Sequence, residues 1–459
     1  MNLRTKTMVG ALCTTLTFAC TEDSKPLDTA DSGVEDSGVV EDSGAVGDVG
    51  LPDSGVEDVG ITTDAGGGDG GLPRGTAAPR RGDMAFATDP RDGRTYMFFG
   101  DRAEPQMCDF PVSDFVDDGW VFDPSTGQWA EIVLSGNRPL KRARSAATWD
   151  ERNNRVVLFG GRFRAGTTGD YTWLNDLWAF DPATGAWTEL SAQDAPGGPS
   201  GRMNATVVPD PDRNRILVHG GGTTDFTAFQ VDTDTWAFSF ATGAWTQIAT
   251  GRPQPNPPAE SGRLFHVASI DRARGRMFVF AGGGQNAFNV FVGDMWYLNL
   301  VTEEWTQVNL GGGAPDARIK AAMIYDQAGD QLVLFGGHDN GNLGNDNDVW
   351  TFDLETLTWT RRMQGDRYNR AAFGFCDFPA DFAIIDPASP ERRESHLFSL
   401  HGNTAIMFGG RTDCGLANDT WFLDLTTMTW TQVSNSFTGM TCFRSGRTDC
   451  ADPQARKCG

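Results

Sequence analysis

Short apolar runs that end in glycine recur along most of this chain, separated by polar turns. Six runs share this form, and they cover residues 96–100, 156–161, 216–221, 277–282, 331–337 and 405–410. A continuous apolar run this short, stopped by glycine, is typical of a β-strand that is buried on both faces. We call this predicted element strand b of a repeated unit.

A second pattern follows each run: Asp, any residue, Trp, five residues, Thr, two residues, Trp. It accounts for twelve of the fourteen tryptophans. Its six copies are Asp118, Trp120 and Trp129; Asp176, Trp178 and Trp187; Asp234, Trp236 and Trp245; Asp294, Trp296 and Trp305; Asp348, Trp350 and Trp359; and Asp419, Trp421 and Trp430. The pattern predicts strand c at the first Trp, a tight turn, and strand d at the second Trp. We expect the recurrent Asp to cap the turn into strand c.

An arginine stands eight residues before a turn residue upstream of each apolar run, which predicts strand a between the two. These arginines are Arg81, Arg142, Arg202, Arg263, Arg318 and Arg393. A residue that every unit contains is expected to build the unit, so a binding site is sought where the units differ. Six guanidinium groups around one axis are one way to hold a carboxylate or another anion. Pairing with acids of adjacent units is the alternative, and we favour it.

Sheets that are buried on both faces need a neighbour on each side, and a ring of sheets provides them. The order of paired glycines, an aromatic residue and tryptophan resembles the kelch repeat over residues 79–433. The resemblance implies an all-β, six-bladed kelch-type β-propeller whose tryptophans stack blade against blade. It also implies that the b–c and d–a loops share one face, which we call the loop face.

The N-terminal segment 1–20 resembles a bacterial lipoprotein signal peptide, with Cys20 as the lipidated residue. Its removal leaves six cysteines, an even number that allows three disulfides in an oxidising compartment. These cysteines are Cys108, Cys376, Cys414, Cys442, Cys450 and Cys458. We expect disulfides to pin the sixth blade and the C-terminal tail, residues 434–459, to the first blade. The predicted location is a bacterial cell envelope, lipid-anchored in the periplasm or at the cell surface, with ordinary secretion as the alternative.

An acidic, low-complexity linker, residues 21–75, joins the signal segment to the predicted propeller. Residues 21–73 hold fourteen acids against one base and contain no aromatic residue. Such a segment cannot bury a core, so we predict a disordered tether. The net charge of −23 argues against a nucleic-acid partner. Membrane contact is expected through the lipid alone, and the protein is expected to be a monomer.

The predicted loop face carries polar and aromatic residues that occur in single units. We take these as ligand-binding candidates: Arg102, Arg162, Arg164, Tyr171, Trp173, His338, Asp339 and Arg411. Aromatic rings beside arginine and aspartate offer a stacking face and fixed hydrogen-bonding groups, which suits a glycan or a protein ligand. The alternative is that these side chains only pack long loops together.

The function predicted from the sequence is binding rather than catalysis, because no catalytic, metal-ligand or cofactor motif is present. We therefore expect an interaction module for a glycan or a protein, with no cofactor. A carbohydrate-active enzyme is the alternative, since some propellers similar to this one act on sugars. A sialic-acid mutarotase would need only acid–base groups in the channel. A copper radical oxidase would need two histidine and two tyrosine ligands, and no tyrosine motif of that family is present.

Overall fold

The computed structural model describes residues 78–103, 113–224, 229–248, 263–284, 291–339, 345–368, 383–384, 386–412 and 415–434. The signal segment, the acidic linker, the six cysteines and the tail beyond residue 434 lie outside these ranges. Lipidation and disulfide formation therefore stay predictions. Within the described ranges, no helix has the length and apolar character that a membrane crossing requires.

The described ranges contain β-strands and one short 3-10 helix, Pro211–Arg213. In chain order the strands begin with β1 Ala85–Thr88, β2 Thr95–Phe98, β3 Gly119–Asp123, β4 Gln128–Glu131, β5 Ala146–Asp150, β6 Arg155–Phe163, β7 Thr172–Asp181, β8 Ala186–Ser191, β9 Thr206–Asp210, β10 Arg215–His219, β11 Gly222–Thr224, β12 Phe229–Val231, β13 Thr235–Ser239, β14 Ala244–Ile248, β15 Val267–Asp271 and β16 Arg276–Phe280. They continue with β17 Met295–Asn299, β18 Trp305–Gln307, β19 Arg318–Ile319, β20 Ala322–Asp326, β21 Gln331–Asp339, β22 Asn345–Asp353, β23 Thr358–Met363, β24 Arg367–Tyr368, β25 Ala383–Ile384, β26 Arg393–Glu394, β27 Leu397–His401, β28 Thr404–Phe408, β29 Arg411–Thr412, β30 Gly415–Leu416, β31 Thr420–Asp424 and β32 Thr429–Ser434.

These strands form six antiparallel sheets, and each sheet has four main strands in chain order. We number them 1 to 6: β1–β4; β5–β8; β9, β10, β13 and β14; β15–β18; β20–β23, with β19 added on β21; and β27, β28, β31 and β32. The first strand of each sheet contacts the first strand of the next, and β27 of sheet 6 contacts β1 of sheet 1. The described residues therefore form a closed ring of six sheets, the predicted all-β propeller, with strands a, b, c and d in each.

The tryptophan of strand d packs against strand b of the preceding sheet. In sheet 2, the Trp187 ring lies 4.8 Å from the ring of Phe98 in sheet 1. Across the point where the ring closes, Trp129 of sheet 1 lies 4.5 Å from Phe408 of sheet 6. Its indole Nε1 also donates a hydrogen bond to the Thr420 hydroxyl at 3.1 Å. Among the described residues, closure therefore uses non-covalent contacts equivalent to those between the other sheets.

The repeated arginine and aspartate pair with each other inside one sheet, which corrects two expectations. Arg142 donates to both carboxylate oxygens of Asp176, at 2.6 and 2.8 Å, and to the Gly160 carbonyl at 3.0 Å. Asp176 also accepts from Trp178 Nε1 at 2.8 Å. The aspartate therefore does not cap the turn into strand c, and the arginine does not pair with an adjacent blade. Because each guanidinium is buried and neutralised in its own sheet, the six arginines are not an anion-binding ring.

The glycine pair after strand b is required by the close approach of neighbouring backbone. Gly160 has φ of 64°, and a Cβ there would lie 2.9 Å from the Arg202 carbonyl of the next sheet. The sequence pattern predicted that strand b ends at this pair, but in sheet 2 the strand β6 continues beyond it. It passes through a register shift between Phe159 and Gly161 and ends at Phe163. The extension carries Arg162 onto the loop face.

Candidate functional site

Two variable positions of the repeat meet at the end of the propeller axis. The first lies two residues after each repeated arginine and has positive φ in every sheet. We call its members the axial ring: Asp83, Arg144, Asn204, Phe265, Lys320 and Ser395, with φ from 52° to 58°. Left-handed backbone is uncommon for residues other than glycine and costs about 1 kcal/mol or more. The same backbone therefore presents a different side chain from each sheet.

Backbone hydrogen bonds join the axial ring around the propeller. The amide of Arg144 donates to the Asp83 carbonyl at 2.9 Å, and the amide of Lys320 donates to the Phe265 carbonyl at 2.9 Å. The bond from the Asp83 amide to the Ser395 carbonyl, at 3.3 Å, connects sheet 1 to sheet 6. These bonds satisfy polar backbone groups that the left-handed turn removes from the strands, so the ring is a fixed frame.

The second variable position directly follows the glycine pair, or the single glycine that stands in its place in sheets 1 and 4. Its residues are Asp101, Arg162, Gly222, Gly283, His338 and Arg411. Each pairs through its backbone with the residue just before the axial ring, as Arg162 does with Ala143 at 2.9 and 3.1 Å. Side chains at this position therefore stand beside those of the axial ring.

A channel runs from the axial ring along the first strands of all six sheets. Its cavity volume is about 460 Å³, within the range of sites that hold small molecules. Most of its wall is apolar or carries only hydroxyl groups; Val207, Ala268 and Ile324 are examples. Asp83, Arg144 and Lys320 line it at the loop-face end.

Four cations and three anions gather at this end, and we call them the mouth cluster: Arg144, Arg162, Lys320 and Arg411 with Asp83, Asp101 and Glu394. Asp83 lies 3.1 Å from Arg144 and 3.2 Å from Arg411, and Lys320 Nζ lies 2.7 Å from Glu394. Burial alone would raise the pKa of Asp83, but Arg411 and Arg144 outweigh it and hold the pKa well below its usual value. The cluster carries an excess of one positive charge.

Arg162 is a cation of this cluster with unused hydrogen-bonding capacity, and Asp101 Oδ2 beside it also makes no hydrogen bond to the described residues. The residue is 4% exposed, and its Nε and Nη2 donate no hydrogen bond to any described residue. Asp101 comes only within 3.9 Å of it. Its guanidinium lies 4.3 Å from the centre of the Tyr171 ring, which holds it by cation–π contact. Burial, together with repulsion from Arg144, lowers the pKa of Arg162 to about 9.

An apolar patch adjoins the charged groups of the mouth. Phe265 packs with Met203, Leu264, Phe291 and Ile319. The Arg144 guanidinium and the Lys320 ammonium lie 5.5 and 5.4 Å from the centre of the Phe265 ring. A ligand at this mouth would therefore meet cations and an apolar surface next to each other.

Some of the ligand-binding candidates predicted from the sequence lie at this mouth. Arg162 and Arg411 belong to the mouth cluster, and Arg164 lies against the same Tyr171 ring at 4.4 Å. Trp173 packs on the apolar patch and lies 5.5 Å from Tyr171.

Of the other three candidates, His338 occupies the second variable position beside the axial ring, and Asp339 and Arg102 directly follow residues of that position. His338 is buried, and its Nδ1 is 3.0 Å from the Asn345 side-chain oxygen. Asp339 is 4% exposed and pairs through its backbone with Arg318. Arg102 is 40% exposed and lies 3.6 Å from Asp114.

Sequence reasoning missed Arg144, Lys320, Asp83, Asp101 and Glu394. For Asp83, Arg144 and Lys320 the signal was the position two residues after an invariant arginine, where every unit has a different residue. Asp101 and Glu394 stand elsewhere, directly after Gly100 and Arg393. The described residues contain no group of three or more His, Cys, Asp or Glu that could hold a metal ion.

Comparison with known proteins agrees with this geometry. The model of the KLHDC2/KLHL20/DRC7 Kelch-repeats domain matches residues 72–262 and 251–374, which is more than half of the chain. The chain belongs to the kelch-repeat family. Its blades are therefore kelch blades. The contacts between the repeated Arg, Asp and Trp stabilise each blade of this chain.

Relatives of this chain differ in how much of their own length the similarity covers and in the functions that their names state. Kelch domain-containing protein 2 of Bos taurus is 26% identical over 62% of this chain and 69% of its own length. Leucine-zipper-like transcriptional regulator 1 homolog of Drosophila melanogaster is 26% identical over 57% of this chain, but only 24% of its own length is covered. N-(sulfonatooxy)prop-2-enimidothioate sulfolyase of Thlaspi arvense is 25% identical over 60% of this chain and 80% of its own length.

Proposed function

We propose that this kelch propeller is a binding module that holds an anionic group of its partner at the mouth cluster. The observation that carries the proposal is Arg162, a buried guanidinium whose Nε and Nη2 make no hydrogen bond to the described residues. Buried polar groups are normally hydrogen-bonded, and buried donors that lack an acceptor are costly. A carboxylate or sulfate would supply the missing acceptors through charge-assisted hydrogen bonds.

The surrounding charges favour one anionic group rather than a polyanion. The mouth cluster has an excess of one positive charge, and the whole chain carries −23. The acidic body repels anions at long range, while the local excess attracts an anion that reaches the mouth. The apolar patch around Phe265 adds contact area for whatever carries the anion.

The partner that we propose is a protein or a glycan docking on the loop face. The kelch relatives are consistent with an interaction module, and an acidic side chain or a sugar carboxylate would each present the required group. A lipid anchor at Cys20 and an envelope location belong to the same proposal. Labelling with an alkyne-tagged fatty acid in a bacterial host, compared with Cys20→Ser, tests the anchor.

Turnover of a small anion is a second candidate function. One relative that is covered over 80% of its length is named as a lyase acting on a sulfonatooxy compound, which is an anion. The same mouth would then hold a sulfate group during a reaction. Release of sulfate from such a compound would distinguish this candidate from binding alone.

Calorimetric titration of the full chain at low ionic strength tests the anion site. The probes are inorganic sulfate, N-acetylneuraminate and a blocked tripeptide with a central glutamate. Arg162→Met should weaken binding of the best probe at least about tenfold, because it removes a charge-assisted pair. Arg94→Gln, which removes an exposed arginine outside the mouth cluster, is the matched control and should bind as the wild type does. Equal binding by Arg162→Met, or no binding of any probe, would contradict the proposal.

A further inference from the structure

Lysine is scarce in this chain, and one lysine occupies the axial ring. Of 38 basic residues only five are lysine: Lys6, Lys25, Lys141, Lys320 and Lys457. The buried cations at the repeated structural positions are all arginine. Arginine stays protonated in proteins, whereas a buried lysine can release its proton and become a nucleophile. The lysine in the axial ring therefore has a chemical capacity that the surrounding arginines lack.

The surroundings of Lys320 combine burial, a neighbouring cation and access to the channel. Its side chain is 13% exposed and lines the cavity. Its ammonium lies 5.4 Å from the centre of the Phe265 ring, which Arg144 also approaches. Burial lowers the pKa of Lys320; Glu394 opposes this effect and Arg144 adds to it.

A proton acceptor is in direct contact with this amine. Glu394 Oε1 lies 2.7 Å from Lys320 Nζ, and the carboxylate side chain is 13% exposed. The ion pair places Glu394 to accept a proton from Lys320, whose side chain lines the channel. Arg144, also in the axial ring, and Arg162, beside it, are placed to hold a carboxylate on the same ligand.

We infer that Lys320 captures a small aldehyde or ketone that carries a carboxylate, such as a 2-oxo acid, by forming an imine. This inference rests on the proposed anion site, because the carboxylate is what would orient the carbonyl group toward the amine.

The step balances without any further reagent. The Lys320 ammonium gives a proton to Glu394, and the neutral amine attacks the carbonyl carbon. A carbon–nitrogen bond forms as the carbonyl π bond breaks, and a second proton moves from the nitrogen to the carbonyl oxygen to give a hydroxyl group. The Glu394 carboxyl returns its proton to that hydroxyl, water leaves, and a protonated imine stays on Lys320. The ammonium and the carbonyl compound are consumed, and the iminium and one water are formed.

Reductive trapping tests this inference on the full chain. Wild-type protein is incubated with glyoxylate and cyanoborohydride near neutral pH, and adducts are assigned by peptide mass spectrometry. Lys141 is the internal control, because it belongs to neither the mouth cluster nor the cavity wall. We expect Lys320 to be modified at least about tenfold faster than Lys141. The Lys320→Arg variant should lose that adduct and keep the one on Lys141, and propionaldehyde, which lacks a carboxylate, should lose the preference.

The outcomes separate this inference from the proposed function. Equal or slower modification of Lys320 than of Lys141 overturns the inference, and the proposed function still stands if sulfate binding depends on Arg162. Preferred modification of Lys320 by glyoxylate and propionaldehyde alike overturns the role of the carboxylate. The proposed function is tested separately by the titration, and it fails if no anion binds. A circular dichroism melt shows whether Lys320→Arg is folded. If this variant does not fold, the relative rates of Lys320 and Lys141 modification in the wild-type protein decide the test.

Discussion

Removal of the carboxylate of Asp176 should be among the most destabilising single substitutions in the propeller. This side chain accepts both hydrogen bonds from the buried guanidinium of Arg142 and one from the indole of Trp178. Alanine at this position leaves a cation at 0% exposure without its counter-charge. Breaking a buried pair from one side costs about 3–5 kcal/mol. We expect a loss of unfolding free energy in that range.

A matched control lies five residues further along the same strand. Asp181 is half-buried, and its carboxylate accepts hydrogen bonds from the amide of Ala183 and the hydroxyl of Thr184 in the turn. Its replacement by alanine should cost about 1 kcal/mol, the value of a turn hydrogen bond. A double variant, Arg142→Met with Asp176→Leu, should recover part of the loss, because no buried charge is then left unpaired.

Urea unfolding followed by tryptophan fluorescence and by circular dichroism measures these differences. Coincident transitions from the two probes would justify a single unfolding free energy for each variant. The reasoning is refuted if Asp176→Ala costs no more than Asp181→Ala. It is also refuted if the double variant is less stable than Asp176→Ala, since the buried charge would then not be the source of the loss.

Further predictions concern the glycine pair, the closure of the ring and the effect of acid. Gly160→Ala should lower stability by more than about 2 kcal/mol in thermal unfolding, because its φ is positive and its Cβ would meet backbone; Gly136→Ala, with positive φ but open space, should cost less. Trp129→Ala should lower the urea midpoint by an amount equivalent to about 3–5 kcal/mol, and unchanged stability would contradict closure through this contact. Burial lowers the pKa of His219 to about 3 and that of its ring neighbour His266 well below its usual value. Both are therefore neutral in the folded state, so their contribution is complete above about pH 6.5 and is lost as pH falls. For His219 the loss between pH 7 and 5 is about 2 kcal/mol. His219→Phe should flatten the measured dependence of stability on pH, and an unchanged slope would contradict this assignment.

The fold was predictable from the sequence because its signals repeat. A single apolar run or Trp pair is ambiguous, but six copies at similar spacing leave few arrangements that bury every strand on both faces. Boundaries were less predictable. Strand β6 continues past its glycine pair because a register shift lets the backbone stay paired up to Phe163. The pattern of apolar and polar residues does not predict such a register shift.

The site was predictable only in part, and the reason is geometric. Arg162 and Arg411 stood out as single-unit residues next to the glycine pairs. Lys320 and Arg144 did not, because they lie beside invariant arginines and look like part of the structural repeat. The role of the invariant Asp was also missed, since a contact between Arg142 and Asp176 spans 34 residues and depends on how strands a and c are placed.

The central claim, that the mouth cluster holds an anion, is tested most directly by locating one. Crystals of the full chain grown with selenate would show the anion by its anomalous scattering. The account predicts a peak within hydrogen-bonding distance of Arg162 Nε or Nη2, beside Arg144 or Arg411, and no such peak in Arg162→Met. Selenate found only on the outer surface, or at the mouth with equal occupancy in both proteins, would contradict it.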